Sequence, residues 1–161
     1  MSNSFYLRVA GVAGECVEAN HKEWIDIFSV NWGASQQVSN YRGGGGGAGK
    51  VDFKDLSVVA AIDNATPTLM KMCVTGHHIK DVYVSLCKAG GGKSMEYASF
   101  ILKDTLITDV NIGGSNGSQT LVTYNFQAAA IEIHYWKQMS NGVKGAEVAM
   151  GFDIKQNKVT A

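Results

Sequence analysis

Pro67 is the only proline among 161 residues, and it sits in the one stretch where helix start and stop signals bracket a run of the right length. Thr66 is an N-cap candidate, because its hydroxyl can accept from an amide left unpaired one turn on. Pro67 suits the first helical position, where no N–H is needed, and Gly76 supplies the left-handed residue that ends the run. Between them Leu69, Met70 and Cys73 fall on one stripe facing a core, and Thr68, Lys71 and Thr75 face water. The rest of the chain, free of proline, can run as hydrogen-bonded strands. The expected fold is therefore mainly β, organised about one short α-helix.

The strand signals follow in order. Residues 5–10 read as a first strand, turned by Gly11 and Gly14. In 24–33 the apolar face is Trp24, Phe28, Val30 and Trp32, and Ile25, Ile27, Ser29 and Asn31 lie opposite. Residues 51–62 read as one strand with Leu56, Val58, Ala60 and Ile62 on one face and Phe53, Ser57 and Val59 on the other. Apolar groups on both faces imply that one side meets the core and the other meets something else. Strands at 78–88, 95–111 (with a break near Lys103 and Asp104), 120–138 and 143–154 complete the set, and Asn141-Gly142 closes the last hairpin. Seven or eight strands with glycine-rich tips predict a closed or nearly closed antiparallel β-barrel, one domain over residues 1–161.

Composition excludes several classes. The 14 basic and 14 acidic residues cancel, which leaves no electrostatic footprint for nucleic acid or an anionic membrane and little repulsion between identical copies. No apolar run is long enough to span a bilayer, so membrane insertion is not expected. The N-terminal residues lack the basic region and apolar core of a cleavable signal peptide. Cys16, Cys73 and Cys87 are an odd count with no C-x-x-C spacing, the pattern of reduced packing thiols rather than of a disulfide framework or zinc site.

Motifs for chemistry are absent or incomplete. Residues 44–50 satisfy the G-x-x-x-x-G-K part of a phosphate-binding loop, yet Val51 stands where the magnesium-binding Ser or Thr belongs, and a strand pattern follows instead of a helix. Five consecutive glycines cannot pack a core, so the segment reads as a mobile loop or the tip of a projecting hairpin. His77 and His78 point to opposite faces of an extended segment, and His21 and His134 have no ligand at zinc spacing. Surface or hydrogen-bonded roles are the expectation for all four. Trp24, Trp32, Tyr124, Phe126, Tyr135 and Trp136 could form a stacking platform, but without a basic companion face they fit core or subunit interface better. No catalytic, cofactor-binding or metal-binding residue is expected, and the chain is not read as an enzyme.

Several stretches taken together carry a resemblance. Gly14-Glu15, the run from His21-Lys22-Glu23-Trp24 to Ile27, Asn31-Trp32-Gly33-Ala34-Ser35-Gln36, the glycines leading into Val51, Asp55-Leu56-Ser57, the run from Ile62 to Leu69, and Gly151-Phe152-Asp153-Ile154 stand in order over nearly the whole chain. In this the sequence resembles the haemolysin-coregulated protein (Hcp) family, the tube subunits of the bacterial type VI secretion system. The resemblance implies a small barrel flanked by a helix, similar to the tail-tube proteins of contractile phages. It further implies hexameric rings that stack into a hollow tube, expelled with a spike protein at its tip by a contractile sheath on a baseplate. Some family members hold small effectors inside the ring, and an effector chaperone is the alternative expectation to a tube builder.

On this basis the ring-stacking candidates are Val38, Ser39, Asn40, Tyr41, Arg42, Gly43, Gly44, Gly45, Gly46, Gly47, Ala48, Gly49 and Lys50. The candidates for the lumen or effector contact are Asn31 and Gln36. Asn31 stands where several members carry serine or another small residue. The expected route is synthesis in the bacterial cytoplasm and export without a cleavable signal peptide.

Overall fold

The computed structural model describes residues 3–39, 47–90 and 93–161. In chain order these form β1 (Asn3–Val9), β2 (Ile25–Asn31), β3 (Ala34–Ser39), β4 (Gly47–Phe53), β5 (Leu56–Ala61), α1 (Thr66–Thr75), β6 (Ile79–Gly90), β7 (Lys93–Gly113), β8 (Leu121–Gln138), β9 (Lys144–Asp153) and β10 (Lys158–Val159). Every pairing is antiparallel. The strand order β8-β5-β2-β1-β6-β7 returns to β8, which closes a six-stranded barrel. β9 and β10 continue the sheet outside the barrel from the far half of β8, and β3 and β4 form a separate two-stranded arm.

The barrel interior is filled by alternate residues of each strand, as a small closed barrel requires. Leu7 and Val9 of β1, Leu56, Val58 and Ala60 of β5, Val82 and Val84 of β6, and Val122, Tyr124 and Phe126 of β8 are all at most 1% exposed. Tyr124 brings a hydroxyl inside, and Thr66 Oγ1 meets it at 2.7 Å. Burial pushes the Tyr124 phenol up from its usual range and keeps it neutral. This buried pair fixes the start of α1 against β8.

The helix ends as the sequence implies but begins differently. Gly76 is left-handed (φ 63°), and its N–H and that of His77 close on Cys73 and Met72 carbonyls. Thr66 is not the N-cap: the cap position is Ala65, which makes no side-chain cap bond. Asp63 acts instead, its Oδ1 accepting from Ala65 N–H at 3.0 Å and its carbonyl from Thr66 N–H at 3.1 Å. The apolar stripe is Leu69, Met72 and Cys73, with Leu69 fully buried. Met70 yields its expected place to Met72 because Met72 and Cys73, three and four residues beyond buried Leu69, share its face, whereas Met70 is turned about 100° away.

Two strand readings are corrected. In β2 a bulge falls at Phe28, since Ile27 pairs Ala60 and Ser29 pairs Val59. One extra residue flips the alternation. Ile25 and Ile27 point into the core before the bulge, Val30 packs on it after, and Phe28 is left 56% exposed. The expected single strand over residues 51–62 is two strands, β4 and β5, broken at Lys54 and Asp55, and Ile62 lies beyond the end of β5 on the surface. By contrast β7 runs unbroken through Asp104, which takes a left-handed φ of 49°. The expected break is a kink, tied down by His78 and Lys155 on the two carboxylate oxygens.

The segment between β1 and β2 lies across the outer face of β1 and β6. Its backbone pairs with itself, Gly14 N–H to Glu23 carbonyl at 2.7 Å and Cys16 N–H to Trp24 carbonyl at 2.9 Å. A Cβ on Gly14 would stand 2.5 Å from the Trp24 carbonyl oxygen, so only glycine admits this approach. We expect Gly14→Ala to cost about 1–3 kcal/mol by forcing a backbone shift, read as a lower urea midpoint with an unchanged slope. Leu69→Ala should cost about 2–5 kcal/mol through the cavity it leaves beneath the helix, measured by the same unfolding curves.

Candidate functional site

Three surfaces of the barrel carry features beyond simple folding: the outer wall under the β1–β2 segment, the β3–β4 arm, and the sheet extension of β8 and β9.

On the outer wall, Tyr6 of β1 and Ser85 and Cys87 of β6 project on the side opposite the core, because their strand neighbours Leu7, Val84 and Leu86 point inward. The crossing segment sets His21 on top of them, stacked on Tyr6 with ring centroids 4.0 Å apart and edge-on to Trp24. His21 Nδ1 meets the Glu18 carboxylate, and Nε2 lies 3.1 Å from Ser85 Oγ. Ser85 Oγ–H donates to Glu96 Oε2 at 2.5 Å. Tyr83 O–H and Lys144 Nζ also reach the Glu96 carboxylate.

The order Glu18, His21, Ser85 has the composition of a nucleophilic triad, but its geometry performs another task. Ser85 has no exposed surface, and its one proton is committed to Glu96 rather than to the imidazole. Ser85 Oγ therefore accepts from His21 Nε2–H, and the other ring nitrogen faces the Glu18 carboxylate. Burial raises the Glu18 carboxyl, but bonds from His21 and the Asn20 N–H outweigh it and bring it below the usual range. The chain of four groups ties the β1–β2 segment through β6 to β7. Nearby, burial pushes the thiols of Cys16 and Cys87 up, so they stay protonated and poorly nucleophilic.

Beside this brace opens a cleft of about 750 Å³ whose lining includes Arg8, Trp24, Tyr83, Glu96 and Lys144. Arg8 lies over both the Trp24 and Tyr83 rings at 5.6 Å and reaches Asp81 at 3.4 Å. None of the ring-stacking or lumen candidates lines it. Beyond Glu18, the chain that runs on from His21 is invisible in the sequence because Ser85 is 64 residues away and Glu96 a further 11; only His21 itself, within His21-Lys22-Glu23-Trp24, stood out.

The sequence-based candidates fall on the arm and at its root. Val38 and Ser39 end β3, and Gly47, Ala48, Gly49 and Lys50 open β4, with Val38 paired to Ala48 and Ser39 to Gly47. Val38 is 64% exposed. Asn40, Tyr41, Arg42, Gly43, Gly44, Gly45 and Gly46 lie outside the described residues. Lys50 and Val51 continue as a strand, so the helix a phosphate-binding loop must open does not follow. Asn31 and Gln36 are both exposed but in different sheets, Asn31 opposite Ser57 at the end of β2 and Gln36 opposite Val51 in the arm. The aromatic residues do not form one platform. Tyr124 and Phe126 are core, Trp24 covers the outer wall, Trp32 packs with Phe53 and Phe100, and Tyr135 is open.

Beyond the barrel, one face of β8 and β9 stays apolar. Ile131, Ile133 and Tyr135 stand opposite Phe152, Met150 and Val148. Exposure climbs along this strip from 2% at Ile131 to 46% at Tyr135, 37% at Met150 and 71% at Val148. An apolar hollow of about 300 Å³, lined by Val30, Trp32, Phe53, Phe100 and Ile133 among others, joins the strip to the root of the arm. Among the described residues no group of three His, Cys, Asp or Glu side chains could hold a metal ion, and no helix is long and apolar enough to cross a membrane.

Comparison with known proteins sets these surfaces in a family. A family model described as "Type VI secretion system effector, Hcp" matches residues 6–137. Protein hcp1 of Pseudomonas aeruginosa is 40% identical over 161 residues, covering 98% of each chain. Hcp1 from Salmonella typhimurium is 26% identical, with a TM-score of 0.83 over 99% of this chain and 100% of that one. A type VI secretion effector from Yersinia pestis is 27% identical, with a TM-score of 0.75 over 92% and 98% of the two chains. A solved type six secretion system protein, 21% identical, shares the fold with a TM-score of 0.91 over 99% and 100%. With its closed antiparallel barrel, short helix and matched sequence, the chain belongs to the Hcp family of type VI secretion system proteins.

Proposed function

We propose that this chain is the structural subunit of a type VI secretion inner tube, without catalytic activity, and that six copies close into a ring whose stacked repeats form a hollow conduit. The observation that carries this reading is the apolar strip of Tyr135, Val148 and Met150, an extension of the core that ends in the open. Burying such side chains is worth roughly 1.5–3 kcal/mol each, and a second copy is the covering a closed ring supplies. The zero formal net charge leaves little long-range repulsion against that contact. β9 also offers an edge for pairing, since β10 meets it only around Phe152 and Asp153.

In this reading residues 38–50 form the contact between stacked rings, and Asn31 and Gln36 face the lumen. The partners are the chain itself, the spike protein at the tube tip, the sheath and baseplate, and small effectors carried through. The chain is made in the bacterial cytoplasm and leaves by sheath contraction. Carrying effectors inside the ring is compatible with building the tube. Effector loss in cells lacking the protein would then accompany the loss of secretion.

Sedimentation velocity and negative-stain images should show six-membered rings with an open centre. A strictly monomeric species at high concentration overturns the proposal. Val148→Glu should shift the protein to smaller species at unchanged far-UV circular dichroism, because a charge at the strip is stranded when covered. Deleting residues 43–47 should leave single rings intact and weaken stacking, seen as fewer and shorter tubes; unaltered tube formation removes the arm from the account.

A further inference from the structure

On the opposite face of the β8–β9 extension lies a polar cluster with no role in the barrel. His134 has both ring nitrogens engaged by carboxylates on two strands. Nε2 is 2.9 Å from Glu132 Oε1 on β8, and Nδ1 is 3.2 Å from Glu147 Oε1 on β9. The ring stacks on Trp136 at 5.9 Å. Around it, Lys103 of β7 bonds Glu132 at 2.6 Å. Lys144 of β9 lies 3.8 Å over the Trp136 ring and 3.4 Å from Glu96 of β7. The main-chain neighbours of His134, Ser99 on β7 and Ala149 on β9, bring no charge.

Two ionised carboxylates on two ring nitrogens require two N–H donors, which only the imidazolium has. A neutral ring must turn a lone pair toward one carboxylate. Glu132 keeps Lys103 at 2.6 Å whatever the ring does, whereas Glu147 has no other hydrogen-bond or ion-pair partner among the described residues. Losing the proton therefore falls on the His134–Glu147 contact, the one side-chain ion pair among the described residues that crosses from β8 to β9.

We propose that His134 is a pH-sensitive clamp that holds β9 on β8, and so controls whether the face carrying Val148 and Met150 is presented for subunit contact. The second part rests on the ring reading above; the clamp itself does not. Burial lowers the affinity of His134 for its proton, but the bonds from Glu132 and then Glu147 outweigh it and raise the group above its ordinary value near 6.5. The sign follows: the clamp is fully present below pH 6.5 and is lost as pH rises through the higher folded value. Glu132 is held below the usual carboxylate range by Lys103 first and His134 second, so it remains ionised throughout that window.

The test is hydrogen exchange of the full chain from pH 5.5 to 8.5, read as protection factors so that intrinsic exchange cancels, together with sedimentation at each pH. Protection of residues 144–150 should fall roughly threefold to fivefold across the window, the size expected for a partly exposed ion pair, while β1, β5 and β6 hold steady. His134→Gln and Glu147→Gln should each show the weakened value at every pH. Flat protection in the native chain, or an unchanged slope in both variants, overturns the clamp. If protection falls but ring size does not, the clamp stands and its control of assembly is overturned. If the protein is monomeric throughout, the ring reading fails while exchange still decides the clamp.

Discussion

A strand of 18 residues must satisfy backbone donors and acceptors on both edges along its whole length. That requirement on β8 organises the molecule. Over its first part, Leu121 to Phe126, β8 lies between β5 and β7 and closes the barrel. Over its second part it leaves β5, keeps β7, and needs a new partner on the vacated edge. β9 supplies that partner from Lys144 onward, set in place by the turn at Asn141-Gly142 where Gly142 takes a φ of 83°. One strand thus belongs to two environments, a sealed core and an open sheet.

The consequence for function comes from side-chain alternation. Phe126 and Ile131 are both core although five residues apart, so the alternation of β8 changes phase opposite the left-handed Asp104 of β7; from Ile131 onward the apolar series through Ile133 and Tyr135 keeps its phase and runs out from under its own cover. A sheet that ends its core in this way leaves an apolar surface of the kind that marks interaction sites. The opposite side of the same sheet carries Glu132, His134 and Glu147, a charged face suited to solvent. The extension is therefore amphipathic across its thickness, and its two faces answer to different conditions.

The outer wall shows how residues close in sequence to Gly14 and His21 work physically. Gly14 allows the close backbone approach to Trp24, Glu15 accepts from the Asn64 N–H ahead of the helix at 2.6 Å, and His21 hands a proton chain to Ser85 and Glu96. Residues that resemble a catalytic order here fasten a long connection to the barrel. Ser85, fully buried and donating its proton to Glu96, is withheld from a nucleophile's role.

Much was legible in the sequence because it depends on local rules. Pro67 and Gly76 bounded the helix, glycine-rich stretches separated the strands, clean alternation marked β6, and a long β-like run marked β8. The likeness of ordered stretches such as Asn31 to Gln36 carried the family, which the matched family model bears out. Where neighbours in space compete with neighbours in sequence, alternation misled. The bulge at Phe28 is decided by the register of β2 on β5, and the choice of Met72 over Met70 by which helix face the barrel receives around buried Leu69. The sequence alone determined a β protein with one helix, since propensity and turn chemistry act over a few residues. Only the tertiary structure decided which strands close the barrel and which face is left bare, and it alone assembled the Glu18–His21–Ser85–Glu96 chain and the His134 clamp. Those depend on pairings between residues far apart in the chain, and no short-range pattern encodes them.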